Sequence, residues 1–126
     1  MILDTNAISA LADGEPRVGE LLERATVVAL PVVALGEYRY GIQQSRHRAR
    51  YEAWLEELVQ SVTVLEIGNG TARRYASLRM KLKQMGHPIP ANDLWIAALA
   101  EQFAMSVLSQ DKHFDVVPGV RRIGWE

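Results

Sequence analysis

Four acidic side chains are placed where a metal-dependent reaction could occur. Asp4 follows the first short apolar run, Asp111 follows a late one, and Asp93 opens the helix predicted between them. Glu37 lies inside the helix predicted after the second strand. Ligands that are all oxygen suit Mg²⁺ or Mn²⁺ rather than zinc or copper. A cation held in this way activates water and stabilises the charge that develops on a phosphodiester.

Each acid, taken alone, also has a purely structural interpretation. Asp4 and Asp93 could cap helices or occupy a favourable first turn, Asp111 could be a loop residue, and Glu37 could face solvent. Their joint placement favours a site, because ligands of open α/β sheets bind beyond the carboxyl ends of the strands. Two carboxylates about 4 Å apart repel by about 4 kcal/mol at an effective dielectric near 20. Converging acids would therefore need raised pKa values or a bound cation.

Residues beside these acids could support such a site. Asp115 comes four residues after Asp111 and could contribute at the rim, whereas Ser109 could hydrogen-bond a metal ligand or simply occupy a turn. No glycine-rich phosphate loop is present, and the absence of cysteine excludes thiolate chemistry. The histidines have no metal-ligand spacing, and we interpret them as surface or loop residues: His47, His87 and His113.

The elements that must position the acids are predicted from apolar periodicity. Strands are expected at residues 1–3, 26–30, 62–65, 105–108 and 121–123, and helices at 7–12, 16–24, 32–42, 46–59, 71–85 and 92–103. This alternation predicts an α/β domain with a mainly parallel sheet and right-handed crossovers. At 126 residues, one domain spanning 1–126 is expected.

Charge and composition narrow the function classes. The net charge is −1, yet residues 46–86 hold eight lysines and arginines against four acids. Such a basic middle suits a phosphate-holding surface, although solvated helix faces give the same counts. The start lacks the features of a secretory signal, and no segment approaches the about 20 apolar residues of a membrane span. We therefore expect a cytoplasmic protein without membrane contact.

Four motifs in order along nearly the whole chain resemble the PIN domain, and more narrowly the VapC-type toxins of toxin–antitoxin pairs. They are Leu3-Asp4-Thr5-Asn6; Leu35-Gly36-Glu37 with Tyr40-Gly41-Ile42; Ile89-Pro90-Ala91-Asn92-Asp93 with Ile96-Ala97-Ala98; and Leu108-Ser109-Gln110-Asp111 with Phe114-Asp115. The resemblance implies a three-layer α/β/α sandwich and an Mg²⁺- or Mn²⁺-dependent endoribonuclease. Metal-activated water would cleave RNA, leaving a 5′-phosphate and a 3′-hydroxyl.

The same resemblance implies site residues. Asp4, Glu37, Asp93 and Asp111 match the catalytic, metal-binding acids of the family, and Asp115 matches a more variable fifth acid. Ser109 stands where threonine is common, so that its supporting hydroxyl is retained.

Partners follow from the resemblance too. It implies a homodimer and a cognate antitoxin whose C-terminal segment occupies the active-site groove, with promoter DNA contacted only through the antitoxin. Two alternatives stay open at this point. One is a housekeeping PIN nuclease of RNA processing, and the other is an inactive module that binds protein or RNA. The presence of all four matching acids argues against the inactive module.

Overall fold

Five short strands form a fully parallel sheet in the computed structural model, which describes residues 1–126. They are β1 (Ile2–Leu3), β2 (Ala29–Pro31), β3 (Thr63–Leu65), β4 (Val107–Leu108) and β5 (Arg122–Ile123). Their order across the sheet is β3-β2-β1-β4-β5, and all four neighbouring pairs are parallel. The predicted α/β class with a parallel sheet is confirmed.

Helices occupy the crossover connections between the strands. α1 (Thr5–Ala12) and α2 (Pro16–Arg24) join β1 to β2, α3 (Val32–Gln43) and α4 (Arg48–Ser61) join β2 to β3, and α5 (Asn69–Met85) and α6 (Ala91–Phe103) join β3 to β4. A 3₁₀ helix, Lys112–Val116, precedes β5. The chain moves outward from β1 to β3 and then returns to β4 on the other side of β1. Right-handed crossovers therefore put α1–α4 on one face and α5–α6 on the other, which gives the expected three layers.

The strand order reverses between β1 and β4, and this reversal creates the binding crevice. Leu3 pairs with Leu108 across these two strands. The next residues, Asp4 and Ser109, consequently leave the sheet at the same level and on adjacent strands. In parallel α/β sheets, connections that diverge at such a point leave a crevice beyond the carboxyl ends.

A continuous apolar core fixes the strands and helices that border this crevice. Twenty-five buried apolar residues form one cluster, in which both residues of β1 and both of β4 are fully buried. Helix α6 is buried on most of its surface, including Leu94, Ile96 and the run 97–100. Burial of each leucine or isoleucine side chain contributes about 1.5–3 kcal/mol. The helix that carries Asp93 is thus held rigidly against the sheet.

Several predicted boundaries require correction: the first helix begins at Thr5 rather than at residue 7, and the fourth strand is Val107–Leu108 rather than 105–108. The second strand runs from Ala29 to Pro31 rather than over residues 26–30, because pairing of Ala29 with Ile2 and of Pro31 with Leu65 fixes the register. The helix expected at 46–59 is Arg48–Ser61. The 3₁₀ helix was not predicted from the sequence.

None of the helices combines the length and the apolar character required to cross a bilayer.

Candidate active site

Asp4 lies at the end of β1 and is almost completely buried. Its extended backbone makes it the N-cap of α1, where its carboxylate accepts a hydrogen bond from the Thr5 amide at 2.8 Å. The Ser109 hydroxyl donates to Asp4 Oδ2 at 2.7 Å, and the Asn6 amide lies 3.4 Å from the same oxygen. All of these donors are neutral, so they orient the carboxylate without removing its charge.

Ser109 connects the ends of the two central strands. It is fully buried, and its Oγ accepts hydrogen bonds from the Asp111 amide at 2.9 Å and from Asn6 Nδ2 at 3.2 Å while donating to Asp4. Asn6 Oδ1 accepts in turn from the Gln110 amide at 3.2 Å. The hydroxyl thus holds the loop after β4 in register with the loop after β1.

Glu37 reaches the crevice from α3. Thr5 Oγ1 donates to Glu37 Oε2 at 2.9 Å, and the Asn92 side-chain amide donates to the other carboxylate oxygen. Because Thr5 follows Asp4 and Asn92 precedes Asp93, these bonds tie Glu37 to both buried acids. Helix α3 therefore contributes an acid at the edge of the sheet where Asp4 lies.

Asp93 and Asp111 meet at the ring of His113. Asp93 is in the first turn of the buried α6, and its Oδ2 lies 2.7 Å from His113 Nδ1. Asp111 Oδ1 accepts from the His113 backbone amide at 2.9 Å and lies 2.9 Å from the same ring nitrogen. One ligand atom from each of the three residues falls within 4.8 Å of the others.

The pKa values of Asp4 and Asp93 are both raised, in part by the neighbouring acids. Burial is the main cause that raises the pKa of Asp4, and the charges of Asp111 and Glu37 raise it further, against the hydrogen bonds from Ser109 and Thr5. Burial also raises the pKa of Asp93 to about 6, with added repulsion from Asp111 and Asp4 and an opposing hydrogen bond from His113.

The same acids favour the charged form of the His113 ring. Its hydrogen bond to Asp93 is the main cause that raises the pKa of its ring, so that the protonated form is favoured. None of Asp4, Glu37, Asp93 and Asp111 forms an ion pair with a lysine or arginine. The partly exposed His113 is thus the one basic side chain paired with these acids, and it contacts Asp93 and Asp111.

These residues fit a hard divalent cation. Oxygen ligands are what Mg²⁺ and Mn²⁺ prefer, and the clustered atoms of Asp93, Asp111 and His113 span a distance compatible with shared coordination at about 2.0–2.2 Å per ligand. Burial raises the pKa of Asp93, and repulsion from Asp111 and Asp4 raises it further; a bound cation would relieve both effects. Asp4 stands beside the cluster with its orientation already fixed.

Asp115 does not join the cluster. Its two oxygens contact Arg122 Nε at 2.8 Å and Nη2 at 3.1 Å, and this pairing lowers the pKa of Asp115. The 3₁₀ helix turns the Asp115 side chain toward β5 and away from the four other acids. The other predicted residues, Asp4, Glu37, Asp93, Ser109 and Asp111, are brought together.

Histidine spacing does not indicate that His113 lies at the site, because no other histidine is close to it in the sequence. Asp111 caps the 3₁₀ helix through the His113 amide, a short turn that carries residue i+2 back over the capping acid. An aspartate that follows a buried strand and precedes histidine by two residues is the signal that could have identified it.

Several known proteins resemble this chain in sequence and fold. The family model described as the PIN domain matches residues 1–120. Ribonuclease VapC5 of Mycobacterium tuberculosis is 34% identical over 97% of this chain and 90% of its own length. The crystal structure of VapBC-5 from the same organism, a member of the VapBC family of toxin–antitoxin systems, shares 30% identity, covers 98% of this chain and 97% of that chain, and has a TM-score of 0.72. VapBC2 from Rickettsia felis, at 23% identity, covers 99% of this chain and 98% of its own with a TM-score of 0.88, which establishes the fold. The chain therefore belongs to the PIN-domain family, among its VapC-type members.

Proposed function

We propose that this protein is the toxin of a type II toxin–antitoxin pair and acts as a metal-dependent endoribonuclease. The observation that carries the proposal is the convergence of Asp4, Glu37, Asp93 and Asp111 at the reversal of strand order, with no lysine or arginine paired to them. A relative that is 34% identical over nearly the whole chain is named a ribonuclease. We further propose that residues 1–126 form one PIN domain, because the family match extends over most of them.

The residues divide the catalytic work between them. Asp93 and Asp111 would hold Mg²⁺ or Mn²⁺, with Asp4 adjoining them at the end of β1. The cation, when bound, would supply an activated water and stabilise negative charge on the phosphodiester. Glu37, restrained by Thr5 and Asn92, would orient the attacking water at this edge of the sheet. Ser109 positions Asp4 from behind through a buried hydrogen bond.

Protein partners are proposed from the relatives. The VapBC-5 structure is of a toxin–antitoxin family member, and at 30% identity it supports a cognate antitoxin for this chain. We extend the proposal to a homodimer and to promoter DNA contacted only through the antitoxin, as the resemblance implies. RNA as substrate favours the cytoplasm as the place of action.

The direct test is cleavage of a mixed RNA pool by the purified protein. Cleavage should occur with Mn²⁺ or Mg²⁺, stop with EDTA, and be lost in Asp4→Asn. Asp115→Asn is the matched control, because it makes the same acid-to-amide change at an acid held outside the cluster. Folded protein without metal-dependent cleavage, together with no growth arrest on expression, would contradict the proposal.

Expression in a bacterial host separates the toxin from a housekeeping nuclease. A toxin arrests growth, and co-expression of the small protein encoded beside it restores growth. A nuclease of RNA processing leaves growth unchanged although it cleaves RNA in vitro.

A further inference from the structure

A polar pocket of about 290 Å³ opens beside the acidic cluster, between α1, α3 and the start of α4. It shares Thr5 and Glu37 with the active site. The remaining polar wall consists of groups from α1 and its C-cap, from the α3–α4 loop and from α4: Ser9, Asp13, Ser45 and Tyr51. A chain bound at the acids can therefore place its next group in this pocket.

Asp13 is the charged group of the pocket. Its Oδ1 accepts a hydrogen bond from the Tyr51 hydroxyl at 2.9 Å, and its carboxylate forms no ion pair. Tyr38 lies on the inner wall, where burial, then the charges of Tyr51 and Asp13, raise its pKa to about 12. The pocket thus offers carboxylate lone pairs next to aromatic surface.

The segment that follows Ser45, the pocket residue of the α3–α4 loop, is basic. Arg46, Arg48 and Arg50 come directly after Ser45 and lead into α4. Arg48 pairs with Glu52, Arg50 Cζ lies 5.0 Å from the centre of the Tyr51 ring, and Arg46 forms no ion pair. A positive segment favours phosphates and disfavours a cationic peptide, whereas the carboxylate inside the pocket favours N–H donors.

We propose that this pocket is a nucleobase subsite that accepts a guanine adjacent to the scissile phosphate, an inference that rests on the proposed nuclease function. Guanine presents its N1–H and its 2-amino group side by side, which matches the two oxygens of one carboxylate. Adenine, cytosine and uracil each present a single donor group on that edge. Unpaired RNA bases are commonly bound by aromatic surface together with hydrogen bonds to this edge. In this proposal Asp13 accepts hydrogen bonds from guanine, Tyr51 orients Asp13 through its hydroxyl and provides aromatic surface, and the arginines contact the phosphates of the RNA.

Sequencing of the ends produced from a randomised RNA pool tests the subsite. The wild type should enrich guanine at one position next to the cut. Asp13→Asn exchanges one acceptor for a donor while keeping an oxygen for Tyr51, so guanine enrichment should fall by about tenfold, the scale of one bidentate base contact, and adenine should rise. Glu57→Gln, at an exposed acid of α4 outside the pocket, is the matched control and should keep the wild-type pattern.

A binding measurement in EDTA separates the subsite from the nuclease function. Guanosine monophosphate should shift the NMR signals of Tyr51 and its neighbours more strongly than adenosine monophosphate does, and Asp13→Asn should remove that difference. Tyr51→Phe, which keeps the ring, should weaken guanosine monophosphate binding if the pocket is correct.

Three results would contradict either the guanine subsite or the nuclease function. Equal loss of all cuts in Asp13→Asn overturns the subsite. Binding of hexa-arginine that requires Asp13, with no response to guanosine monophosphate, also overturns it and assigns the pocket to a cationic chain. Absence of any metal-dependent cleavage by wild type, with guanosine monophosphate still bound, counts against the nuclease function and not against the pocket.

Discussion

The two sides of the acidic site are held together by different forces. On the Asp4 side, the buried carboxylate is surrounded by neutral donors from Thr5, Asn6 and Ser109. On the Asp93 side, Asp93 and Asp111 share one histidine ring nitrogen. Hydrogen bonds from neutral groups fix an orientation at any charge state, whereas two adjacent acids need a positive charge between them. The Asp4 side is preorganised, and the Asp93 side is the part that the proposed cation would complete.

The difference begins in the elements that carry each side. Asp4 ends a fully buried strand and caps α1, so its position follows from the paired backbone. Asp93 is in the first turn of α6 and Asp111 caps a five-residue 3₁₀ helix. Because Asp93 is in the first turn of α6, it interacts favourably with the helix dipole. It has no lysine or arginine as an ion-pair partner.

The largest effects are expected from replacing one acid on each side. Asp4→Asn and Asp93→Asn should each reduce RNA cleavage by more than about 100-fold, since loss of even an outer partner of a metal ligand costs about 10- to 100-fold. Their effects on the free energy of unfolding in EDTA at pH 8 should have opposite signs. Asp4→Asn places an amide against the donors Ser109 and Asn6 and should destabilise by about 1–3 kcal/mol. Asp93→Asn removes a repelled charge and should stabilise.

Urea denaturation of both variants beside the wild type gives the measurement. Destabilisation of similar size in both variants would remove the distinction between the two sides.

The Asp93 side should contribute to the pH dependence of metal-free stability, in the same direction as the raised pKa of Asp4. Because the folded pKa of Asp93, about 6, exceeds its usual value of 3.8, its stabilising contribution is complete below about pH 4 and is lost as pH rises through 6. The raised pKa of His113 acts in the same direction, with a contribution that is lost at higher pH. This difference between the folded and usual pKa values of Asp93 corresponds to at most about 3 kcal/mol in the free energy of unfolding. Urea midpoints measured in EDTA from pH 4 to 8 should fall less in Asp93→Asn; parallel curves would contradict this.

Ser109→Ala should weaken the Asp4 side without removing a charge. The change leaves Asp4 without its closest donor and the Asp111 amide without its acceptor, so cleavage should fall by about 10- to 100-fold. Ser77→Ala, at an exposed serine of α5, is the control and should leave both stability and cleavage unchanged. Equal activity of the two variants under steady-state assay would show that the buried hydroxyl does not position Asp4.

The smallest effect is expected from Asp115→Asn. Asp115 is exposed and directed to Arg122, so its replacement should leave cleavage within about twofold of wild type and Mn²⁺ affinity unchanged. A large loss of Mn²⁺ affinity in calorimetric titration would bring Asp115 back among the metal ligands.

The fold was largely predictable because apolar periodicity follows burial. Helix α2 begins at Pro16 and ends at Arg24 as predicted, and the weak pattern at residues 121–123 corresponds to β5. The second strand was misplaced because residues 26–28 are apolar or β-branched without being paired, and Val27 is 45% exposed. Only the partners of a strand determine which part of such a run is paired.

The site was predictable where strand ends determine it and unpredictable where side chains determine it. Asp4 and Asp111 follow adjacent parallel strands, a relation that sequence order and crossover rules indicate. Local spacing does not show the pairing of Asp115 with Arg122 or the insertion of His113 between two acids. Both depend on the 3₁₀ turn, whose geometry directs neighbouring side chains to opposite sides.

Crystals grown with Mn²⁺ and measured near the manganese absorption edge would show whether these acids bind the metal. We expect an anomalous peak between the carboxylates of Asp93 and Asp111, on the side that faces Asp4, and no such peak in Asp93→Asn. Absence of a peak among Asp4, Glu37, Asp93 and Asp111 at saturating Mn²⁺, or a peak that persists in Asp93→Asn, would contradict the assignment of these acids as the metal site.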